Sequence, residues 1–157
     1  MNGFPITSAT KELESIQAKY SEYRYVYEKS GAVTAAQQMN VPEHAMIKTL
    51  VMETNKGEPL IILMHSEKRI DLKELAQHIG VKNVSTVSVK DAEQLTGYKV
   101  GGISPFGIHT KMDIYVEETI LDLDYLYLNG GKRGFILGMT PHSLVNTLKP
   151  ITVRVAK

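Results

Sequence analysis

A lysine within an apolar segment, Lys48, is the first residue whose type and position could do chemistry. The alternating pattern of Met46–Met52 predicts a strand, which places Lys48 on one face with Met46, Leu50 and Met52. A buried ammonium group costs free energy unless it is paired, and desolvation lowers its pKa. Lys48 therefore either holds a polar or anionic ligand or lies near a strand end with its amine extended to water.

The second candidate is the glycine-rich segment Val100–Gly107. The paired glycines Gly101 and Gly102 allow backbone angles closed to other residues and let a ligand approach the main chain. Free backbone N–H groups there could hold a carbonyl oxygen or a phosphate, with Ile103, Ser104 and Pro105 beside it. A tight structural loop explains the pattern equally well.

The third candidate is a basic turn between two predicted strands. Lys132 and Arg133 lie between glycines in the segment 129–134, and two adjacent cations could contact a phosphate. A hairpin turn with solvated charges is the alternative interpretation.

Several classes of chemistry lack their sequence signatures. The chain has no cysteine, which excludes disulfides, a thiolate nucleophile and cysteine-based zinc sites. It also lacks the Gly-x-Ser-x-Gly elbow of serine hydrolases. The five histidines show no metal-binding spacing, so neither a metal nor a cofactor is predicted; they are His44, His65, His78, His109 and His142.

Length and composition limit the number of domains and the kinds of partner that the protein could have. The 157 residues suit one domain, 1–157, and 43% apolar with 22% charged residues is typical of a soluble globular protein. No secretory signal and no apolar run of ~20 residues is apparent, so we expect a cytoplasmic protein without a membrane partner. The net charge of +1 indicates that any contact with nucleic acid is local, weak or shared with a partner protein.

The predicted elements are short strands and helices in mixed order. Two helices have clear end signals, since Asp71 and Ser88 precede them and Gly80 and Gly97 follow them. About six or seven strands and five helices are expected, without strict alternation. This order favours an α+β domain with a mixed sheet over a doubly wound parallel fold.

Four segments, in this order, resemble the successive motifs of the YbaK/ProX family. The resemblance covers roughly residues 25–148, and its motifs are Ile47–Leu50, Arg69–Ala76, Thr96–Gly107 and Gly130–Gly134. It implies a mixed, barrel-like β-sheet with flanking helices. It also implies an enzyme that removes wrongly attached amino acids from tRNA, with the aminoacylated tRNA end as substrate and prolyl-tRNA synthetase as a partner.

The resemblance assigns roles to individual residues. The family lysine matches Lys48, as an anchor for the terminal ribose–phosphate or the substrate amide region. The family loop matches Gly101 to Pro105, so Gly101 and Gly102 are expected to donate N–H groups to the oxyanion. Expected substrate contacts are Tyr27, Ile103, Ser104, Pro105, Lys132, Arg133 and Ser143. At Ser143 relatives often carry an acid, two residues after the proline that opens the late helix.

The resemblance is compatible with more than one substrate amino acid. The YbaK branch typically clears cysteine from tRNA(Pro) and can act on cysteine attached to its own tRNA, whereas sister branches clear alanine or other small residues. Because Ser143 stands where relatives often carry an acid, a second interpretation is a non-catalytic module that binds an aminoacylated end, an amino acid or a nucleotide. Turnover separates the two classes, because a binding module would protect the ester.

Overall fold

A computed structural model describes residues 3–28 and 32–157 of the chain. Within those residues the chain forms five α-helices and eight strands, joined by short turns and two 3-10 turns at Glu43–Ala45 and Glu118–Asp122. The helices are α1 (Ser8–Ser15), α2 (Ala32–Met39), α3 (Leu72–Ile79), α4 (Val89–Thr96) and α5 (Pro141–Leu148). The strands are β1 (Ser21–Arg24), β2 (Ile47–Thr54), β3 (Pro59–His65), β4 (Val84–Thr86), β5 (Asp113–Glu117), β6 (Leu126–Asn129), β7 (Phe135–Met139) and β8 (Ile151–Val153).

The strands form two sheets. One has three antiparallel strands in the order β1-β7-β6, and the other has five strands in the order β4-β2-β3-β5-β8. In the larger sheet β3–β5 and β5–β8 are parallel, while β2 pairs antiparallel with β3 and β4. The prediction of an α+β fold with mixed strand direction is therefore confirmed.

The predicted barrel-like closure is not supported. Among the described residues the two sheets meet through a single isolated bridge, between Met46 and Tyr127. Strand β4 pairs only with Met52–Thr54 of β2, so it does not extend along the first half of β2. A barrel needs continuous pairing around its circumference, which a three-residue edge strand does not provide.

The helix ends follow from capping chemistry. Asp71 accepts from the Glu74 N–H and Ser88 accepts from the Asp91 N–H, while Gly80 and Gly97 adopt left-handed angles at the C-terminal ends of α3 and α4. Helix α1 begins at Ser8, and the side chain of its cap residue Thr7 accepts from the Thr10 N–H.

The main core lies between the two sheets. Leu13 of α1, Ile47 and Val51 of β2, Phe106 of the glycine-rich segment and Phe135 of β7 belong to one buried cluster. This packing fixes β2 and the glycine-rich segment against each other. No helix in the described ranges is long and apolar enough to span a membrane.

Candidate active site

A cavity of about 320 Å³ lies along the half of β2 that does not pair with β4. It brings together three of the predicted residues, Lys48, Gly101 and Ile103, which come from segments more than fifty positions apart. Its lining also includes Tyr25, Thr49, Val51, Ala92 and Asn129. A concave, mostly apolar site with a few polar groups is typical of a small-ligand pocket.

The short pairing of β4 accounts for the open edge beside this cavity. Asn55 donates to the Asn83 carbonyl at 3.0 Å, and Val51 accepts from the Val87 N–H at 3.4 Å. In an antiparallel strand alternate residues direct their main-chain groups to the same edge, so those of Thr49 point to this edge as well. Because β4 ends before it reaches Thr49, the cavity borders unpaired main chain.

Lys48 lies at this edge and is partly buried. Its Nζ donates to the carbonyl oxygen of Lys68 at 2.6 Å. Burial lowers the pKa of Lys48, Arg69 lowers it further, and the carboxylate of Glu67 opposes the shift. The amine therefore releases its proton more easily than that of an ordinary lysine, and it lies where a ligand could replace the Lys68 contact.

Hydrogen bonds to a side chain and within a turn fix the main chain of the glycine-rich segment. The Val100 N–H donates to the Glu93 carboxylate at 2.9 Å, and the Gly102 N–H donates to the Lys99 carbonyl at 2.9 Å. The Gly102 N–H is thus engaged in a turn, and it would have to leave the Lys99 carbonyl to act as the expected oxyanion donor. Gly101, with φ of +97°, lines the cavity, and within the described residues its N–H has no hydrogen-bond partner.

Tyr27 and the basic turn pack onto the glycine-rich segment. The guanidinium of Arg133 lies 5.0 Å from the centre of the Tyr27 ring, and its Nε donates to the Val100 carbonyl at 2.8 Å. Tyr27, Lys132 and Arg133 line a second cavity of about 400 Å³, together with Arg24. Tyr25 borders both cavities, so the predicted cations lie next to the first cavity rather than in it.

Three other predicted contacts lie outside the first cavity. Ser104 is fully buried, and its hydroxyl accepts from the Phe106 N–H at 3.3 Å, which makes it part of the turn. Pro105 borders a different cavity, near His109. Ser143 is in the first turn of α5 and lines yet another cavity with residues 16–19. The structure does not bring these three side chains to Lys48.

Sequence reasoning missed Thr49. Its Oγ1 is buried and is the one buried side-chain polar atom without a hydrogen-bond partner among the described residues. The residue itself is partly exposed and borders the cavity. Its position between Ile47 and Val51, on the apolar face of β2, was the available signal, since a hydroxyl in such a row needs a partner.

A cluster of polar side chains, one of which (Glu67) acts electrostatically on Lys48, has the composition of a metal site. His44, His65 and Glu67 place possible ligand atoms within 4.8 Å of one another. Both ring nitrogens of His65 already have partners, the His44 carbonyl at 2.5 Å and the Thr119 hydroxyl at 2.8 Å. A metal would have to displace these buried hydrogen bonds, so we interpret the cluster as a structural network.

Comparison with known proteins places this geometry in a family. The sequence model of the aminoacyl-tRNA editing domain matches residues 28–147. The chain belongs to the aminoacyl-tRNA editing domain family. The matched range contains every segment that lines the cavity except Tyr25, and the resemblance to the YbaK family is confirmed. Members are aminoacyl-tRNA deacylases, which cleave the ester between amino acid and tRNA, and this editing domain is an enzyme of that class.

Two curated relatives share the editing domain. The chain is 29% identical over 142 residues to EbsC of Enterococcus faecalis, a protein named as a Cys-tRNA(Pro)/Cys-tRNA(Cys) deacylase, covering 89% of this chain and 87% of EbsC. It is also 29% identical over 76 residues to ProXp-y of Escherichia coli K12, named as a multifunctional Ser/Thr-tRNA deacylase. That match spans 48% of this chain and 46% of ProXp-y.

A solved structure supports the fold of this editing domain. A crystal structure described as that of a trans-editing enzyme for prolyl-tRNA synthetase superposes with a TM-score of 0.83 at 23% identity. The superposition covers 98% of this chain and 99% of the other. At this identity the likeness shows the shared architecture of helices and sheets.

Proposed function

We propose that this editing domain removes cysteine wrongly attached to tRNA(Pro), and that it also accepts Cys-tRNA(Cys). The observation that carries the proposal is that Lys48 and Gly101 line the same small cavity. The similarity to EbsC along most of both chains supports the choice of cysteine.

In the proposed reaction the main chain stabilises the oxyanion. The Gly101 N–H donates to the carbonyl oxygen of the ester as negative charge develops there, and one such donor is typically worth ~10²–10³ in rate. Lys48 exchanges its contact with the Lys68 carbonyl for the terminal ribose–phosphate of the tRNA. Both groups act on an ester that is already reactive, so positioning and charge stabilisation suffice.

The nucleophile comes from the substrate in this proposal. The protein has no cysteine, and of the two serines predicted to contact substrate, Ser104 is buried in a turn and Ser143 lines a different cavity. The substrate thiolate attacks its own ester carbonyl, the carbon–oxygen bond to the ribose breaks, and the 3′-hydroxyl leaves with a proton. The immediate product is a cysteine thiolactone, which water then opens. With alanine or serine as substrate, a water molecule would take the place of the thiol.

Selection of the tRNA body is assigned to a partner. The net charge of +1 leaves little general attraction for a polyanion, and the described cations that line the two cavities are Lys48, Arg24, Lys132 and Arg133. We infer that prolyl-tRNA synthetase supplies the tRNA selectivity. Selectivity for tRNA(Pro) that persists with the isolated protein would contradict this.

Multiple-turnover deacylation of Cys-tRNA(Pro) and Ala-tRNA(Pro) tests the proposal. We expect rapid loss of cysteine, slow loss of alanine, and at least a hundredfold decrease with Lys48→Ala if that variant keeps the wild-type circular dichroism spectrum. Faster loss of alanine would assign the protein to an alanine-type branch. Binding without turnover would identify a non-catalytic module, and full activity of Lys48→Ala would overturn the role of the lysine.

A further inference from the structure

Beside the candidate substrate cavity, the hydroxyl of Thr49 has no hydrogen-bond partner in the part of the chain that the structure describes. Its oxygen is buried, whereas the residue is partly exposed and borders the cavity. Leaving such a group unpaired costs about 1–3 kcal/mol. A rotation about χ1 exchanges the hydroxyl and methyl positions, and threonine occupies more than one rotamer readily. The hydroxyl can thus turn to meet a ligand that enters the cavity.

The surroundings of Thr49 decide which ligand group could reach it. Its neighbours on the same face of β2, Ile47 and Val51, are core residues, and Ala92 and Ile103 line the same cavity. No carboxylate is among the described residues that line it, while the Lys48 cation is. The α-ammonium group of an amino acid would be desolvated and repelled there, whereas a neutral hydroxyl or thiol would not.

We infer that Thr49 is the specificity residue of this cavity, and that it recognises the γ-atom of the substrate amino acid. The hydroxyl of Thr49 hydrogen-bonds the γ-hydroxyl of serine or the γ-thiol of cysteine, and alanine offers no such atom. This rests on the proposed function and deepens it, because it names the substrate class as small amino acids with a polar γ-atom.

The size of the expected effect follows from the strength of one hydrogen bond. A net contribution of roughly 1 kcal/mol corresponds to about a fivefold to tenfold change in rate. The preference appears in kcat/KM, since the bond orients the substrate in both the ground state and the transition state. A methyl group in place of the hydroxyl removes this preference without a change of shape.

The experiment compares kcat/KM for Cys-, Ser- and Ala-tRNA(Pro). With Thr49→Val we expect about a fivefold to tenfold loss for cysteine and serine and less than a twofold change for alanine. Thr49→Ser keeps the hydroxyl and should keep the preference. Thr152→Val, on the exposed edge strand β8, is the matched control. An equal loss on all three substrates, or no loss on any, would overturn the inference.

A binding measurement keeps the inference independent of turnover. If the wild-type protein cleaves none of the three substrates, the proposed function fails. The role of Thr49 is then tested with stable 3′-amide analogues of seryl- and alanyl-adenosine. Tighter binding of the seryl analogue by wild type, lost in Thr49→Val, supports the role of Thr49. Equal binding of both analogues contradicts it.

Discussion

The ring of Tyr27 lies directly against the backbone of Gly101. A Cβ atom at position 101 would be 2.5 Å from the Tyr27 hydroxyl oxygen and 2.8 Å from the nearest ring carbon. Arg133 lies over the Tyr27 ring and donates a hydrogen bond to the Val100 carbonyl. It therefore contacts both the tyrosine and the residue that precedes Gly101. Because Gly101 has no side chain, the Tyr27 ring can lie against its main chain, which also borders the cavity.

Gly101→Ala should abolish most of the deacylase activity. The new methyl group displaces Tyr27, and the φ of +97° is strained for alanine. Gly57→Ala is the control, since Gly57 has a similar φ of +78° and nothing within 4 Å of its Cβ position. Each variant should lose about 1 kcal/mol of stability or more, and only Gly101→Ala should lose activity. Comparable activity of the two variants would exclude a role for the Gly101 main chain.

The activity should decrease at alkaline pH as Lys48 loses its proton. Burial lowers the pKa of this amine, so the cation that anchors the substrate disappears at a lower pH than for a solvated lysine. In Lys48→Arg the side chain stays charged across the alkaline range. The decrease in kcat/KM of this variant should therefore occur at higher pH than in wild type, even if its maximal kcat/KM differs. Lys56→Arg, in the exposed β2–β3 turn, should keep the wild-type profile. Rates are corrected for spontaneous ester hydrolysis. Identical profiles for Lys48→Arg and wild type would assign the decrease to another group.

Glu117 should stabilise the fold at neutral pH and lose this effect in acid. Burial raises the pKa of its carboxyl, but hydrogen bonds from the Thr119 N–H and hydroxyl and from the Val155 and Ala156 N–H groups outweigh burial and lower it overall. A lowered pKa in the folded state stabilises above the unfolded pKa, and the effect is lost as the pH falls through the folded value.

Denaturant unfolding of Glu117→Gln across pH tests this expectation. At pH 7 the variant should be less stable than wild type by about 1–3 kcal/mol, because a neutral amide accepts these bonds less strongly. The difference should shrink below about pH 5, as the wild-type carboxylate becomes protonated. Glu58→Gln, in an exposed turn, should show no such trend. A difference that does not change with pH would mean that the carboxylate charge is not responsible.

Thr49→Val should increase the stability of the free protein. The substitution keeps the shape and removes a buried hydroxyl that has no partner among the described residues, which should raise the free energy of unfolding by about 1 kcal/mol. Thr54→Val on the same strand should have the opposite effect, since its hydroxyl accepts from the Lys56 and Glu58 N–H groups. Chemical denaturation measures both variants. A loss of stability in Thr49→Val would show that the hydroxyl has a partner in solution.

Much of the fold was predictable because its signals are local. Asp71 and Ser88 cap helices as expected, Gly80 and Gly97 end them, and the strand predicted for Met46–Met52 lies within or next to β2. The arrangement of the sheets was not predictable in this way. The length of β4 and its limited pairing with β2 depend on contacts between distant segments, and they account for the failure of the barrel-like prediction.

The sequence by itself determined the ends of α3 and α4, the strand around Lys48 and the residue types that could do chemistry, including Lys48 and the paired glycines. These depend on periodicity and caps that act within a few residues. Only the tertiary structure decided that Ser143 lies away from Lys48 and that, within residues 3–28 and 32–157, neither the Gly101 N–H nor the Thr49 hydroxyl has a hydrogen-bond partner. Each of these depends on which main-chain and side-chain groups meet across the fold, and local pattern carries no information about such long-range pairing.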